Sequence, residues 1–226
     1  MGSERPLLKI CGLTLPQEAA AVAAVGCDAI GVIAAPASPR WLPPARRPEL
    51  WQAVATTAPA CRRVLVVVNP DEETLADLEA GPGHQVVQLH GDESPARCAE
   101  LSARLGLPLW KALRVRSADD LGRASAYAGV VEAVLLDAWV ADAHGGTGRR
   151  LPLEWLQGFR PPMPWWLAGG LGPGSAATAL QQLQAGGTTP VGVDVSSGVE
   201  RSPGRKDLER VRRLWAELSC TEPPVA

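Results

Sequence analysis

Leu7–Thr14 reads LLKICGLT, a short apolar run that carries Lys9 and Cys11, closes on Gly12 and passes at once into Leu15, Pro16 and Gln17. The pattern predicts a buried strand, a tight glycine turn and the first turn of a helix. Alternate side chains of a strand share a face, so Leu8 and Ile10 point one way and Lys9 and Cys11 the other. A cation and a thiol then share a face at the carboxyl end of a strand, where α/β sheets place their ligands. Thr14 with Gln17 fits a capping box, and Pro16 suits a first helical turn.

Seven more apolar runs read as strands, at 29–33, 63–68, 85–89, 109–113, 131–136, 165–168 and 192–195. Helical segments alternate with them at 14–25, 49–57, 71–80, 94–105, 117–127, 153–157, 174–185 and 207–218. Most of the strands are continuously apolar, as parallel strands covered on both faces are. No composition break or linker divides the chain. Eight strand–helix units in 226 residues predict an α/β fold, a (β/α)8 TIM barrel, as one domain over residues 1–226. The alternative is an open doubly wound sheet. It normally carries a glycine-rich phosphate loop after its first strand, and here only Gly12 stands there.

Composition excludes several classes of function. A net charge of −2 gives no electrostatic case for nucleic acid or an anionic membrane. No apolar run approaches the roughly 18–20 residues of a membrane span. The start, MGSERPLLKI, has no signal-peptide core, so a cytoplasmic location is expected. The cysteines, Cys11, Cys27, Cys61, Cys98 and Cys220, are odd in number, and no two are spaced as a metal or redox pair. All but Cys11 read as small buried hydrophobes. His84, His90 and His144 show no ligand spacing, so no metal site is expected.

In a (β/α)8 barrel the chemistry lies at the carboxyl ends of the strands. Cys11, Arg40, Asn69, His90, Asp137, Gly169-Gly170 and Ser196-Ser197 all fall there. General loop polarity accounts for Asn69. It accounts poorly for Asp137, which follows an apolar run directly. Gly169-Gly170 and Ser196-Ser197 follow strands seven and eight, the usual phosphate site of such barrels, where glycine lets backbone N–H groups converge on an anion. Gly145–Gly148 lacks the Lys-Ser/Thr of a P-loop and reads as a cover over the site.

The motifs LLKICGLT, Ser38-Pro39-Arg40, VQLHGDE, LLDA, GGTG, LAGGL and GVDVSSGVE resemble, in order and across nearly the whole chain, the phosphoribosylanthranilate isomerase family of tryptophan biosynthesis. The resemblance implies an Amadori rearrangement of N-(5′-phosphoribosyl)anthranilate without a cofactor. It implies that Cys11 is the general base, Asp137 the general acid and Arg40 the partner of the anthranilate carboxylate. Gly169, Gly170, Ser196 and Ser197 would bind the phosphate. Lys9, His90 and Asp194 are further candidates for substrate contact, and Lys9 is expected to lower the pKa of Cys11. The implied partner is a small phosphoribosyl substrate, with the protein a monomer or homodimer. A histidine-pathway ribotide isomerase would carry aspartate where Cys11 stands. A non-catalytic ribotide-binding barrel would have no use for both Cys11 and Asp137.

Overall fold

The computed structural model describes residues 5–79, 81, 83–138 and 151–220. The GGTG segment and His144 lie outside them. Eight strands close into one barrel: β1 (Leu7–Cys11), β2 (Ala29–Ile33), β3 (Arg62–Val67), β4 (Val86–Leu89), β5 (Leu109–Val115), β6 (Ala133–Ala138), β7 (Trp165–Leu167) and β8 (Gly192–Val195). Every neighbouring pair is parallel, and β8 closes the ring against β1. Helices α1 (Pro16–Ala24), α2 (Arg47–Thr57), α3 (Glu72–Glu79), α4 (Pro95–Leu105) and α5 (Ala176–Ala185) lie between successive strands, and α6 (Leu208–Ser219) follows the last of them.

The two-residue alternation splits the apolar residues into two cores. Leu8, Ile10, Ile30, Val32, Leu65 and Val67 pack with helix residues such as Val22, Leu50 and Leu214 in the outer layer. Ala29, Val64, Val86, Trp110, Ala112, Ala133, Leu135, Trp166 and Ala168 fill the inside of the barrel. Lys9 and Cys11 have the opposite parity to Leu8 and Ile10 and so face inward, as the sequence predicts.

Several boundaries differ from expectation. Asp137 lies within β6, one residue before its end. The segment expected as a helix at 117–127 is a 3₁₀ run, Ala118–Tyr127, closed at its start by a capping box of Ser117 and Asp120. Thr14 does not cap α1. Its hydroxyl donates to the Gly204 carbonyl at 2.8 Å, and Leu15 takes the cap position without a side-chain bond. After β8 the chain adds an antiparallel ribbon of β9 (Glu200–Ser202) and β10 (Arg205–Lys206), which the sequence reading did not anticipate.

The amino-terminal end of the barrel is plugged. Trp110 and Trp166 meet at a centroid distance of 5.0 Å, and the Arg62 guanidinium lies 5.3 Å from the Trp110 ring centre. Trp110 Nε1 donates to Glu132 Oε1 at 3.3 Å, and Arg62 pairs with the same carboxylate. That ion pair is exposed and contributes little. The stabilisation comes from the two buried indoles, of which Trp110 is 1% exposed. Trp110→Ala should therefore destabilise the fold by about 3–5 kcal/mol, read as a lower midpoint in urea unfolding.

Candidate active site

At the opposite end, the carboxyl ends of the strands surround a cavity of about 430 Å³. Its wall includes Cys11, Arg40, His90, Asp137, Gly169, Gly170, Asp194, Ser196 and Ser197. Every expected site residue but one therefore faces a single space. Following the closed strand order, the turns after β7 and β8 lie between Asp137 on β6 and Cys11 on β1.

The exception is Lys9. It is fully buried and is not part of the cavity wall. Its Nζ donates to Asp194 Oδ2 at 2.9 Å across the β1–β8 seam, where the two residues are aligned in register. Lys9 thus stands behind Asp194, which does reach the cavity, so the expectation of direct substrate contact by Lys9 is corrected. Burial works against the charge on Lys9, but Asp194 and Cys11 together hold its pKa above the ordinary lysine value.

Lys9 does pull the Cys11 pKa down, as expected, but it does not prevail. Burial pushes the thiol up and wins. Lys9 and Lys206 pull it down, while Asp194 adds to the rise. Burial also takes the Cys61 thiol up to about 12 and the Cys98 thiol up to about 11. Cys220, expected inside, is exposed just after α6.

The position of Cys11 depends on Gly31, its aligned neighbour on β2. A Cβ at residue 31 would fall 2.6 Å from Cys11 Sγ and 3.1 Å from its Cα. Only glycine leaves the thiol this place. Gly12 serves a different neighbour: at φ +84°, a Cβ there would lie 2.5 Å from Arg40 Cδ. The turn after β1 makes a slot for the arginine stem.

The head of Arg40 is gripped as well. Nε donates to Glu200 Oε1 at 2.9 Å and Nη2 to Oε2 at 2.7 Å. Lys206 Nζ donates to the same Oε1 at 2.7 Å. Burial would raise the Glu200 pKa, but Arg40 and Lys206 hold it below the usual carboxylate range. Burial brings Lys206 below the ordinary lysine value against the pull of Glu200. Lys206 also lies 3.4 Å from Ser196 Oγ, and that hydroxyl donates to the Cys11 carbonyl at 2.9 Å.

On the far side of the cavity, His90 Nε2 lies 3.5 Å from Asp137 Oδ2, with both side chains nearly buried. Gln88 Nε2 lies 3.3 Å from His90 Nδ1. Among the described residues, Gln88 Oε1, His90 Nε2 and Asp194 Oδ1 are buried polar atoms without a hydrogen-bond partner. Sequence reasoning missed Gln88, Glu200 and Lys206. Gln88 was accessible to it, because it lies two residues before His90 and so shares its face. Glu200 closes the quoted motif GVDVSSGVE and could have been singled out from it, whereas Lys206 carried no local signal. Trp41 is exposed and does not line the cavity. Asn69 orders a loop: its Oδ1 accepts from Asp92 N at 2.8 Å.

A family profile described as N-(5′phosphoribosyl)anthranilate (PRA) isomerase matches residues 8–217. The chain belongs to this family. It is 47% identical over 213 residues to the N-(5′-phosphoribosyl)anthranilate isomerase of Synechococcus elongatus, covering 94% of this chain and 95% of that protein. The solved phosphoribosyl anthranilate isomerase of Thermotoga maritima superposes with a TM-score of 0.81 at 28% identity, covering 95% and 98% of the two chains. A phosphoribosyl anthranilate isomerase solved with reduced 1-(o-carboxyphenylamino)-1-deoxyribulose 5-phosphate superposes with a TM-score of 0.76 at 29% identity, covering 95% and 98%. The chain is thus an isomerase with the (β/α)8 architecture of its relatives. Among the described residues no helix is long and apolar enough to cross a membrane, and no cluster of His, Cys, Asp or Glu is arranged to hold a metal ion.

The burial of Cys11 has a direct readout, because only the thiolate is nucleophilic. In a Cys220→Ser background, alkylation of Cys11 by iodoacetamide should rise with a pH midpoint above the ordinary thiol value of about 8.5. Lys9→Met removes a cation that favours the thiolate, so the midpoint should move higher still. Peptide mass spectrometry across a pH series measures both.

Proposed function

We propose that this isomerase carries out the Amadori rearrangement of N-(5′-phosphoribosyl)anthranilate to 1-(2-carboxyphenylamino)-1-deoxyribulose 5-phosphate. This is a step of tryptophan biosynthesis, performed in the cytoplasm without a cofactor by one (β/α)8 domain. The observation that carries the reading is that Cys11 and Asp137 line the same cavity on either side of the turns bearing Gly169-Gly170 and Ser196-Ser197. A phosphate held by those turns puts the attached ribose between an acid and a base.

The substrate has three handles. Its phosphate takes the backbone N–H groups and hydroxyls of the two turns. Its anthranilate carboxylate takes Arg40, whose planar head suits a carboxylate. A ribose hydroxyl donates to Asp194 Oδ1, which otherwise lacks a partner. Asp137, in its protonated form, gives its proton to the furanose ring oxygen. The C1′–O bond breaks and the nitrogen lone pair forms the C1′=N iminium. His90 Nε2, close to Asp137 Oδ2, steadies the carboxylate left behind.

The iminium acidifies the C2′ proton, and Cys11 as thiolate removes it. The product is an enolamine with a C1′=C2′ bond, which tautomerises to the C2′ ketone as C1′ gains a proton. Burial disfavours the free thiolate, so the cationic intermediate must supply part of the pull, together with Lys9 and Lys206. The base is then strongest when the iminium is beside it, so binding energy acts on the transition state rather than on the resting complex.

Loss of a placed acid or base typically costs about 10²–10⁴ in rate. Cys11→Ser and Asp137→Asn should each lower kcat by that much with the far-ultraviolet circular dichroism unchanged. The assay follows the decay of anthranilate-ribotide fluorescence. Full turnover by Cys11→Ser would remove the thiol from the mechanism, and a flat trace from the unmodified protein would end the proposal. Gly31→Ala should cost about 10² in kcat by displacing the thiol, since a misplacement of about 1 Å has that effect.

A further inference from the structure

Arg40 reaches the cavity from the loop after β2, yet the atoms that hold it come from the far end of the sequence. Glu200 is 160 residues away, on the ribbon that follows β8. Its carboxylate is saturated: Oε1 accepts from Arg40 Nε, Lys206 Nζ at 2.7 Å and Gly204 N at 3.1 Å, and Oε2 accepts from Arg40 Nη2. Its own backbone carbonyl accepts from Arg210 Nη1 at 2.8 Å. The side-on pairing uses Nε and Nη2, and Nη1 has no hydrogen-bond partner among the described residues. The arginine stem is confined at its other end by the slot over Gly12.

We propose that Glu200 is a positioning residue that aims the Nη1 edge of Arg40 into the cavity to receive the anthranilate carboxylate. This rests on the reading of Arg40 as the carboxylate anchor. An arginine on a free stem loses much rotamer freedom when it binds. One already clamped at the stem and at one edge of its fork has lost that freedom on folding, so its remaining donors bind at lower cost. A carboxylate next to an anion site would normally repel the ligand. Here Lys206 shares Glu200, so the cluster holds two cations against one carboxylate. The same ammonium touches Ser196, which ties the aim of Arg40 to the turn that borders Cys11.

The test separates the two ends of the substrate, using anthranilate and ribose 5-phosphate as competitive inhibitors. In Glu200→Gln, the Ki of anthranilate and the KM of substrate should rise about tenfold, while the Ki of ribose 5-phosphate stays unchanged. Loss of general fold integrity would weaken both inhibitors together. Glu200→Asp keeps the charge and the fold but draws the guanidinium back, and should show the same one-sided loss. Equal weakening of both inhibitors, weakening of neither, or unfolding of Glu200→Asp would each overturn the proposal. Arg40→Ala checks the reading beneath it. If that variant binds anthranilate normally, Arg40 is not the anchor. If it weakens anthranilate while the Glu200 variants do not, only the positioning role fails.

Discussion

Lys9 Nζ and Asp194 Oδ2 meet at 2.9 Å across the seam where β8 closes onto β1, with the lysine wholly cut off from water. Neither ion is tolerable there without the other: removing one partner of a buried pair typically costs about 3–5 kcal/mol. The pair does more than close the barrel. It leaves one carboxylate oxygen, Asp194 Oδ1, turned from the lysine and without a partner among the described residues. It also places a permanent cation next to Cys11, in surroundings that otherwise disfavour a thiolate. The protonation behaviour of the thiol is therefore a balance set by a neighbour that never touches the ligand.

A second buried pair does comparable work on the outside of the barrel wall. Lys111 Nζ donates to Glu93 Oε2 at 2.9 Å and to the carbonyls of Gly91 and Ala112 at 2.8 and 2.9 Å. Glu93 Oε1 accepts from Asn69 N at 2.7 Å, and Tyr127 donates to the Glu93 carbonyl at 2.9 Å. One carboxylate thus joins the turns after β3 and β4 to the wall of β5. His90 stands at the start of the second turn, next to Gly91, whose N–H donates to the same Glu93 carboxylate. Both glutamates are buried and paired with cations, Glu93 with Lys111 and Glu200 with Arg40 and Lys206.

The sequence was legible where the physics is local. Continuous apolar runs gave the eight strands, and parity within LLKIC gave the inward face of Lys9 and Cys11. What parity could not give was depth along that face. Lys9 lies one pleat below Cys11, where Asp194 covers it, and only the β1–β8 register reveals this. The missed capping of α1 has the same origin: the Thr14 hydroxyl turned to Gly204, 190 residues away. The 3₁₀ run at Ala118–Tyr127 kept its predicted place but wound more tightly. Gln88 was within reach of the alternation rule. Glu200 and Lys206 were not, because their partners exist only after the barrel has closed.

The tryptophan plug has a consequence for traffic. Trp110 and Trp166, with the apolar residues stacked above them, leave the barrel blind at its amino-terminal end. The cavity at the mouth is a vessel with one opening. A ligand must leave by the route along which it arrived, past the loops that follow β2, β7 and β8. Departure and arrival cannot overlap, so product lingering at the mouth excludes the next substrate molecule. Arrival and release therefore compete for the same rim.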